Sequence, residues 1–284
     1  MPELPEVETV RRTLSPLVGR RITQVWGSGL PLHMRRPVEL VAVRKAMRGG
    51  EVEGVRRWGK YLFVDIRERP MRLVVHLGMT GRLRLVTGAA KRPKHTHVAF
   101  SLAAQGRQSA AELQFTDARR FGQVFLARRG YEREHPNLAR LGEDPLTGQV
   151  TGELVFEQSR GRRGKLKMFL LDQSIIAGVG NIYASEALWE AQIRPTLAPG
   201  KLSRPRAQRL AAAVNAVLLR ALEDGGTSLK DFVAADGTTG QHEEYLKVYG
   251  REGLPCVRAS CDGQIQRRVL GGRATFSCPR CQSR

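Results

Sequence analysis

The chain has 284 residues, 41% of them hydrophobic, and a formal net charge of +20. Its length and hydrophobic content are sufficient for two packed domains, and the absence of any run of about 18 apolar residues argues against a membrane-spanning helix. The excess of positive charge favours a polyanionic partner, and we expect nucleic acid.

Location follows from the two ends of the sequence. The N-terminus is acidic and carries prolines, whereas a secretory signal is basic and then apolar. All four cysteines follow residue 255, so no disulfide framework ties the whole chain together. We therefore expect a cytoplasmic protein in a reducing environment.

The first eight residues, Met1–Glu8, combine prolines with acidic residues. A small second residue normally permits removal of the initiator methionine, which would make the nitrogen of Pro2 the terminal amine. Such an amine titrates near pH ~8, against ~10.4 for a lysine, so more of it is unprotonated and able to attack a sugar aldehyde carbon. Alternatively, Pro2 simply starts a helix whose positive end favours Glu3 and Glu6.

Helical spacing continues after this segment, and the pattern then changes to that of strands. The apolar residues Val7, Val10, Leu14 and Leu17 predict one helix that ends near Gly19. Eight short β-branched or aromatic runs follow, separated by glycine, proline and polar clusters, which is typical of a β-sandwich. The predicted strands are 22–25, 52–55, 61–66, 73–77, 83–86, 97–100, 112–115 and 123–126.

Three turns of this region carry residues of interest. Lys60 follows Gly59 before a strand, where a lysine is ordinarily a surface residue. The turns 76–81 and 116–122 present Met79, Arg119 and Phe121. Together these side chains suit a protein that extrudes a base from duplex DNA, because apolar groups and a cation can fill the resulting gap.

Residues 136–150 contain prolines without periodicity and predict a linker, after which the pattern is helical. We predict helices over 164–173, from Asn181 through Trp189, and around an apolar stripe that ends near Gly225. The glycine turn 178–181 is common between helices, but it also exposes backbone amides that can bind phosphate. The polar, glycine-rich segment 234–242 is predicted to be a mobile loop.

The C-terminal segment contains the pairs Cys256-x4-Cys261 and Cys278-x2-Cys281 around a predicted hairpin with Gly271-Gly272 at its tip. Four thiolates in two close pairs suit tetrahedral zinc, and so short a segment needs the metal to fold. Two disulfides are the alternative, which a reducing environment disfavours. No acidic or cysteine ligand lies beside His95 and His97, which disfavours a second zinc site there.

Three segments carry a family resemblance. Residues 2–12, Pro-Glu-Leu-Pro-Glu-Val-Glu-Thr-Val-Arg-Arg, resemble the start of bacterial formamidopyrimidine-DNA glycosylases. Residues 178–186 resemble the helix–two-turn–helix motif of that family, and residues 273–282 resemble its finger, although the family usually has Cys-x2-Cys as its first pair. The resemblance implies an α+β multidomain fold with an N-terminal β-sandwich and leading helix over 1–135, a linker over 136–150, a helix–two-turn–helix domain over 151–240 and a zinc-finger hairpin over 241–284.

The resemblance also implies a bifunctional DNA glycosylase and AP lyase of base excision repair. Such an enzyme excises oxidised purines, 8-oxoguanine and formamidopyrimidines, through a Schiff base on its terminal proline and cuts the strand by β,δ-elimination. The resemblance assigns Pro2 as the nucleophile and Glu3 as the acid and base. It implies that Lys60 assists the β-elimination, that Arg273 assists the δ-elimination and that Glu6 supports the site.

The partner implied by the resemblance is double-stranded DNA that contains oxidised bases or abasic sites, bound by a monomer at the bacterial nucleoid. Met79 and Arg119 are expected to fill the gap opposite cytosine, and Phe121 to wedge the base stack. One structural zinc ion is expected on Cys256, Cys261, Cys278 and Cys281. The expected DNA contacts are His76, Met79, His95, Arg119, Phe121, Arg162, Lys167, Gly180, Asn181 and Tyr249.

Two rival functions remain at this point. Endonuclease VIII shares the architecture and prefers oxidised pyrimidines; Leu4, Met79 and the turn 119–121 favour the purine enzyme. A DNA-binding zinc protein without catalysis is the second rival, and the presence of Pro2, Glu3 and Lys60 argues against it.

Overall fold

A computed structural model of the chain describes residues 1–32, 38–88, 91–148, 150–227 and 242–283. They form two compact units, one of Met1–Ala139 with residues 225–227, the other of Arg140–Asp224 with residues 242–283. The predicted mobile loop over 234–242 lies outside the described residues, apart from the backbone of its last residue.

The first unit contains two antiparallel four-stranded sheets and two helices. One sheet has the strand order β1-β6-β7-β5 and the other β2-β3-β4-β8. All eight predicted strands are confirmed. The elements are α1 (Leu4–Thr13), a 3-10 turn (Ser15–Leu17), β1 (Ile22–Gly27), α2 (Leu40–Met47), β2 (Val52–Trp58), β3 (Tyr61–Ile66), β4 (Met71–His76), β5 (Gly81–Thr87), β6 (Thr96–Leu102), β7 (Ala111–Asp117), β8 (Gln123–Arg128) and a 3-10 turn (Glu132–Glu134).

The core of this unit lies between the sheets and extends under α1. Val7, Val10 and Leu14 of α1 are buried in one cluster with side chains of both sheets, such as Leu62 and Phe115. The predicted first helix is thus confirmed, although it ends at Thr13 and a 3-10 turn carries Leu17 into the core. Burial of this apolar stripe fixes the position of the helix that begins beside Pro2.

Helix α2 was not predicted from the sequence. It has only eight residues, of which Val43 and Met47 are buried, while Val41 is 80% exposed. Two apolar residues one turn apart do not distinguish a helix from a loop in the sequence. Helix α2 is stabilised by its packing against the sandwich rather than by its own sequence pattern.

The second unit combines four helices with a hairpin. Its elements are α3 (Gly152–Ser159), α4 (Leu166–Leu170), α5 (Asn181–Glu190), a 3-10 turn (Pro199–Lys201), α6 (Arg204–Glu223), a 3-10 turn (His242–Tyr245), β9 (Gln266–Leu270) and β10 (Arg273–Ser277). The predicted helices at 181–189 and before Gly225 are confirmed, and so is the hairpin. Leu270 pairs with Arg273, so Gly271 and Gly272, both with positive φ, form a two-residue turn.

Two helical predictions in this unit need correction. The helix predicted over 164–173 spans only Leu166–Leu170, because the Asp172 carboxylate accepts hydrogen bonds from both the backbone N–H and the hydroxyl of Ser174. Such a local turn competes with continued helix. Helix α3 was missed; the Thr151 side chain caps it by accepting the N–H of Leu154 at 3.1 Å.

Part of the predicted linker is packed. Asp144 is 3% exposed, and Glu143 forms an isolated parallel bridge with Ile176. The domain and linker boundaries stay a prediction. Within the described parts of the chain, no helix has the length and apolar character needed to cross a bilayer.

Glu8 connects α1 to the second sheet through a buried ion pair. Its carboxylate accepts hydrogen bonds from Arg57 Nε at 3.1 Å and Arg11 Nη2 at 2.8 Å, and Arg57 Nη1 donates to the Gly59 carbonyl at 3.0 Å. Burial alone would raise the pKa of Glu8, but the hydrogen bonds and charges of Arg11 and Arg57 outweigh it and lower the pKa below its ordinary value of 4.5.

We predict that Glu8→Gln lowers the free energy of unfolding by about 3 kcal/mol at pH 7, because it removes the carboxylate partner of the buried Arg57. Because the pKa of Glu8 is lower in the folded protein than in the unfolded chain, its ionised carboxylate stabilises the fold at pH values above the unfolded-state pKa. This stabilisation is lost as the pH falls through the folded-state pKa. The difference between variant and wild type, measured by urea unfolding, should therefore shrink below pH ~4. Glu153→Gln, which breaks an exposed pair with Arg204, is the control and should change stability by less than about 0.5 kcal/mol.

Candidate active site and zinc centre

A reciprocal capping box holds the start of the chain. The Glu6 carboxylate accepts the backbone N–H of Glu3 at 2.7 Å, and the Glu3 side chain accepts the N–H of Glu6. Both side chains are at most 3% exposed. The second oxygen of Glu6 accepts the N–H of Thr227 at 2.8 Å. Pro2, directly before the cap, is half-buried, so its backbone is fixed beside two acids.

Lys60 lies in the two-residue turn between β2 and β3, where Trp58 pairs with Tyr61. Gly59 has φ +58°, which a glycine adopts without strain. Lys60 is only 6% exposed, whereas an ordinary surface lysine is solvated. The Gly59 carbonyl accepts the hydrogen bond from Arg57, so the ion pair of Glu8 links the helix behind Pro2 to the turn of Lys60.

The turns around Met79 and Phe121 are joined by one buried carboxylate, that of Asp117. It accepts hydrogen bonds from the Thr80 hydroxyl, from the N–H of Arg119 at 3.2 Å and from the N–H of Gly122 at 2.7 Å. A Cβ added at Gly78 would lie 2.5 Å from the backbone nitrogen of Gly122. The two turns therefore contact each other through their backbones, and the Asp117 carboxylate connects them.

The side chains on these turns are exposed, whereas the Asp117 carboxylate that supports the turns is buried. Met79 is 38% exposed and Phe121 is 43% exposed, which is unusual for large apolar residues. The Arg119 guanidinium lies 4.8 Å from the centre of the Phe121 ring. A thioether, a cation and an aromatic ring are thus held together at the surface on a rigid base.

The histidines of this unit have three different environments. His76 Nδ1 accepts the N–H of Gly78 at 3.1 Å, so neutral His76 carries its proton on Nε2. His95 is exposed and has φ +67°. His97 is 2% exposed and hydrogen-bonds the Asp117 carbonyl through Nε2 at 2.9 Å.

In the second unit, Gln173 shapes the turn that precedes α5. Its Oε1 accepts the N–H of Gly178 at 2.9 Å, and its Nε2 donates to the Val179 carbonyl at 2.8 Å. Gly178 has φ +102°, and Gly180 is the N-cap of α5. The first N–H groups of α5 have no partner within the helix, which makes this end suited to an anion.

Several predicted contacts converge on the hairpin carbonyl of Ala274. Lys167 Nζ donates to it at 2.8 Å, and Asn181 Nδ2 donates to it at 3.0 Å. Asn181 Nδ2 also lies 3.4 Å from the Tyr249 hydroxyl. Ala274 directly follows Arg273, which is exposed next to the glycine turn. Lys167 is fully buried, so in this arrangement it holds the hairpin.

Tyr249 is fixed by Glu186 of α5, whose carboxylate accepts the N–H groups of Lys247, Val248 and Tyr249 at 2.8–3.0 Å. Arg162, the remaining predicted contact of this unit, pairs with Asp172 at 3.0 Å and is 41% exposed in its side chain.

The four cysteines form a cluster whose sulfur atoms all lie within 4.8 Å of one another. Cys256 and Cys281 are 3.9 Å apart and Cys261 and Cys278 are 3.6 Å apart. Tetrahedral zinc with Zn–S bonds of 2.3 Å places sulfur atoms about 3.8 Å apart, whereas a disulfide requires about 2.05 Å. The cysteines are free thiols, and the donor set fits zinc.

The surroundings of the cluster support this assignment. A Cβ at Gly263 would lie 2.6 Å from Cys278 Sγ, so only glycine allows the thiols to close. Without a cation, burial and the neighbouring thiols raise the pKa of Cys281 to about 12. A divalent cation removes this penalty and keeps the ligands as thiolates.

Comparisons with known proteins cover the whole chain. Residues 1–124 match the formamidopyrimidine-DNA glycosylase N-terminal domain, residues 141–233 the formamidopyrimidine-DNA glycosylase H2TH domain, and residues 253–284 the zinc finger found in FPG and IleRS. The formamidopyrimidine-DNA glycosylase of Hahella chejuensis is 44% identical over 283 residues, which cover 99% of this chain and 100% of the relative. The chain belongs to the formamidopyrimidine-DNA glycosylase family.

Other relatives agree with this assignment. The formamidopyrimidine-DNA glycosylase of Stenotrophomonas maltophilia strain K279a is 43% identical over 99% of this chain and 100% of its own. The Lactococcus lactis Fpg in complex with abasic-site DNA has a TM-score of 0.87 and 32% identity, covering 99% of this chain and 100% of that one. The wild-type L. lactis enzyme with DNA containing an oxidised pyrimidine has a TM-score of 0.87 and 33% identity, with 100% of both chains covered.

Family membership confirms the fold class, the zinc ion and DNA as the partner. The chain is a DNA glycosylase of base excision repair. Its zinc is structural, because four cysteine ligands leave no open coordination position.

Three residues that support candidate site residues, one in the first unit and two in the second, have no assignment from the sequence. Asp117, Gln173 and Glu186 each hold a turn through side-chain bonds to backbone groups. An aspartate before a turn is a general signal for such bonding, and it was available for Asp117. The partners of Glu186 lie more than 60 residues away, so no local pattern reveals them.

We predict that Asp117→Asn lowers the free energy of unfolding by about 2 kcal/mol, because an amide cannot replace a carboxylate that accepts three hydrogen bonds. Thr80→Val removes only one of these bonds and should cost about 1 kcal/mol. Urea unfolding midpoints of both variants provide the measurement, and equal stability of Asp117→Asn and wild type would contradict the role given to this carboxylate.

Zinc removal should unfold the hairpin segment while the sandwich stays folded, because the sandwich has its own core. Purified protein is expected to contain one zinc per chain by elemental analysis. After treatment with a chelator and a thiol-reactive mercurial, proteolysis should cleave within residues 253–283 and leave the segment 1–128 intact. Loss of both regions together would contradict this separation.

Proposed function

We propose that the protein is a bifunctional DNA glycosylase and AP lyase that removes oxidised purines, above all 8-oxoguanine opposite cytosine, and then cuts the strand by β,δ-elimination. The observation that carries the proposal is the start of the chain. Two buried carboxylates, those of Glu3 and Glu6, fix the backbone next to Pro2, and a bare helix start would not require both acids to be buried.

The first step uses Pro2 as nucleophile after removal of Met1. Its nitrogen forms a bond to C1′ of the damaged nucleotide, the glycosidic bond breaks, and the base leaves with the electron pair and takes up a proton. Glu3 donates a proton to the sugar oxygen O4′ as the ring opens, and the nitrogen loses its own proton to give an iminium ion.

The second step cuts the strand. The iminium ion acidifies the C2′ proton, so its removal expels the 3′ phosphate, and a further elimination expels the 5′ phosphate. Lys60 assists the first elimination and Arg273 the second by stabilising the departing phosphates. Water then hydrolyses the iminium ion, which releases the sugar remnant as an aldehyde and returns the free amine of Pro2.

Access to C1′ requires that the nucleotide leave the helix. Met79, Phe121 and Arg119 enter the gap, where Arg119 meets the orphaned cytosine and Phe121 wedges the stack. Support comes from their exposure on turns that Asp117 holds rigid. The proposed phosphate and backbone contacts are His76, His95, Arg162, Gly180, Asn181 and Tyr249. Lys167, which is buried and donates to the Ala274 carbonyl, acts in this proposal by holding the hairpin beside them.

Substrate choice is the finer part of the proposal. The L. lactis relatives were solved with abasic-site DNA and with DNA that contains an oxidised pyrimidine, so both belong in the comparison of substrates. We propose that oxidised purines are the preferred substrates. Abasic sites are accepted as well, because a site without a base needs only the lyase step. Such a substrate places the enzyme at the bacterial nucleoid.

The proposal predicts that borohydride traps the protein covalently on a duplex with 8-oxoguanine opposite cytosine, since it reduces the iminium ion to a stable amine. A version with a non-cleavable N-terminal tag lacks the free amine and should give no adduct. Denaturing electrophoresis measures the adduct. The tagged version should still bind DNA with a salt-dependent affinity, which serves as the control for folding.

Adduct formation by the tagged protein would exclude Pro2 as the nucleophile. Failure of the untagged protein to form any adduct would contradict the Schiff-base intermediate and the lyase step that depends on it. Faster excision of an oxidised thymine than of 8-oxoguanine would favour an activity like that of endonuclease VIII.

A further inference from the structure

The first cysteine pair of the finger departs from the usual spacing, and its intervening residues have a structural use. Cys256 and Cys261 enclose four residues, among them Arg258. The side chain of Arg258 is half-buried and packs against the end of α5, although Arg258 belongs to the cysteine turn.

Arg258 makes two kinds of contact with the last turn of α5. Its guanidinium carbon lies 4.2 Å from the centre of the Trp189 ring, a cation–π distance. Its Nη2 donates to the Trp189 carbonyl at 2.7 Å. This carbonyl is one of the last of the helix and also accepts the N–H of Gln192 at 3.0 Å; a cation is favoured at this end of a helix.

Trp189 in turn contacts the cysteine cluster. Its indole Nε1 donates to Cys256 Sγ at 3.4 Å, and both residues are less than 8% exposed. A closed ring of contacts thus runs from Cys256 along the backbone to Arg258, across to Trp189 and back to the sulfur. The ring fixes where Cys256 Sγ lies relative to α5.

Charge gives the ring a second effect. Zinc with four thiolates carries a net charge of −2, and burial makes such a charge unfavourable unless donors and cations surround it. The indole N–H supplies a donor, and the Arg258 guanidinium supplies a cation on the same side of the cluster. Groups that hydrogen-bond the ligands typically change metal affinity by 10–100-fold when they are removed.

We propose that Arg258 and Trp189 are positioning residues of the zinc centre, which hold Cys256 in place and couple the finger to α5. The residues between Cys256 and Cys261 therefore strengthen the metal site, although their number departs from the usual spacing. Helix α5 also carries Asn181 at its other end, so zinc retention and the start of this helix are connected through one element.

The test compares zinc release from the folded full-length protein, followed with a chromogenic chelator. Arg258→Ala should release zinc at least about tenfold faster than wild type. Arg258→Lys retains the charge but loses the planar stacking on Trp189, so its rate of zinc release should lie between those of wild type and Arg258→Ala. Arg267→Ala removes an exposed arginine of β9 and is the matched control, which should release zinc at the wild-type rate.

Cobalt substitution separates this role from general destabilisation. In Trp189→Phe the ring remains but the N–H donor to sulfur is lost, so the thiolate-to-cobalt absorption should shift to longer wavelength. Wild-type zinc release in both Arg258 variants, or an unchanged cobalt spectrum in Trp189→Phe, would overturn the proposal. Should Arg258→Ala fail to fold, the lysine and phenylalanine variants decide it.

Discussion

The proposed chemistry depends on the hydrogen bonds that the buried Glu6 carboxylate accepts. This carboxylate accepts the N–H of Glu3 at the start of the chain and the N–H of Thr227 from a segment more than 200 residues later. A buried carboxylate is unfavourable unless such donors satisfy it. The first residues would otherwise fray, as chain termini commonly do. By satisfying Glu6, the fold keeps the backbone beside Pro2 in one position, which a nucleophile on a chain end requires.

The same device recurs elsewhere in the described residues. Asp117 joins two turns of the sandwich, and Glu186 holds the segment that carries Tyr249. In a chain with a net charge of +20, these carboxylates are buried and bind backbone donors. The exposed surface consequently keeps its positive charge for a polyanion. Buried acids therefore organise the turns, and we propose that the exposed cations and apolar side chains on those turns contact the DNA.

Sequence patterns predicted much of this architecture because strands, the hairpin and the cysteine pairs have local signals. The eight strands follow β-branched runs, and Gly271-Gly272 specifies a tight turn. Helices α2 and α3 were missed because short helices depend on packing rather than on spacing. The helix predicted over 164–173 was too long because Asp172 and Ser174 form a competing turn. The candidate site residues came from resemblance, whereas Asp117, Glu186 and Arg258 act through contacts that only the folded chain creates.

The central claim is that the amine of Pro2 attacks the sugar, and Lys60 is the other amine to which the proposal gives a part in the chemistry. The most direct measurement is peptide mapping of the borohydride-trapped complex. After nuclease and trypsin digestion, mass spectrometry should find the sugar remnant on the nitrogen of Pro2, in the peptide that ends at Arg11. A remnant on Lys60, or a trapped protein that still carries Met1, would contradict the account.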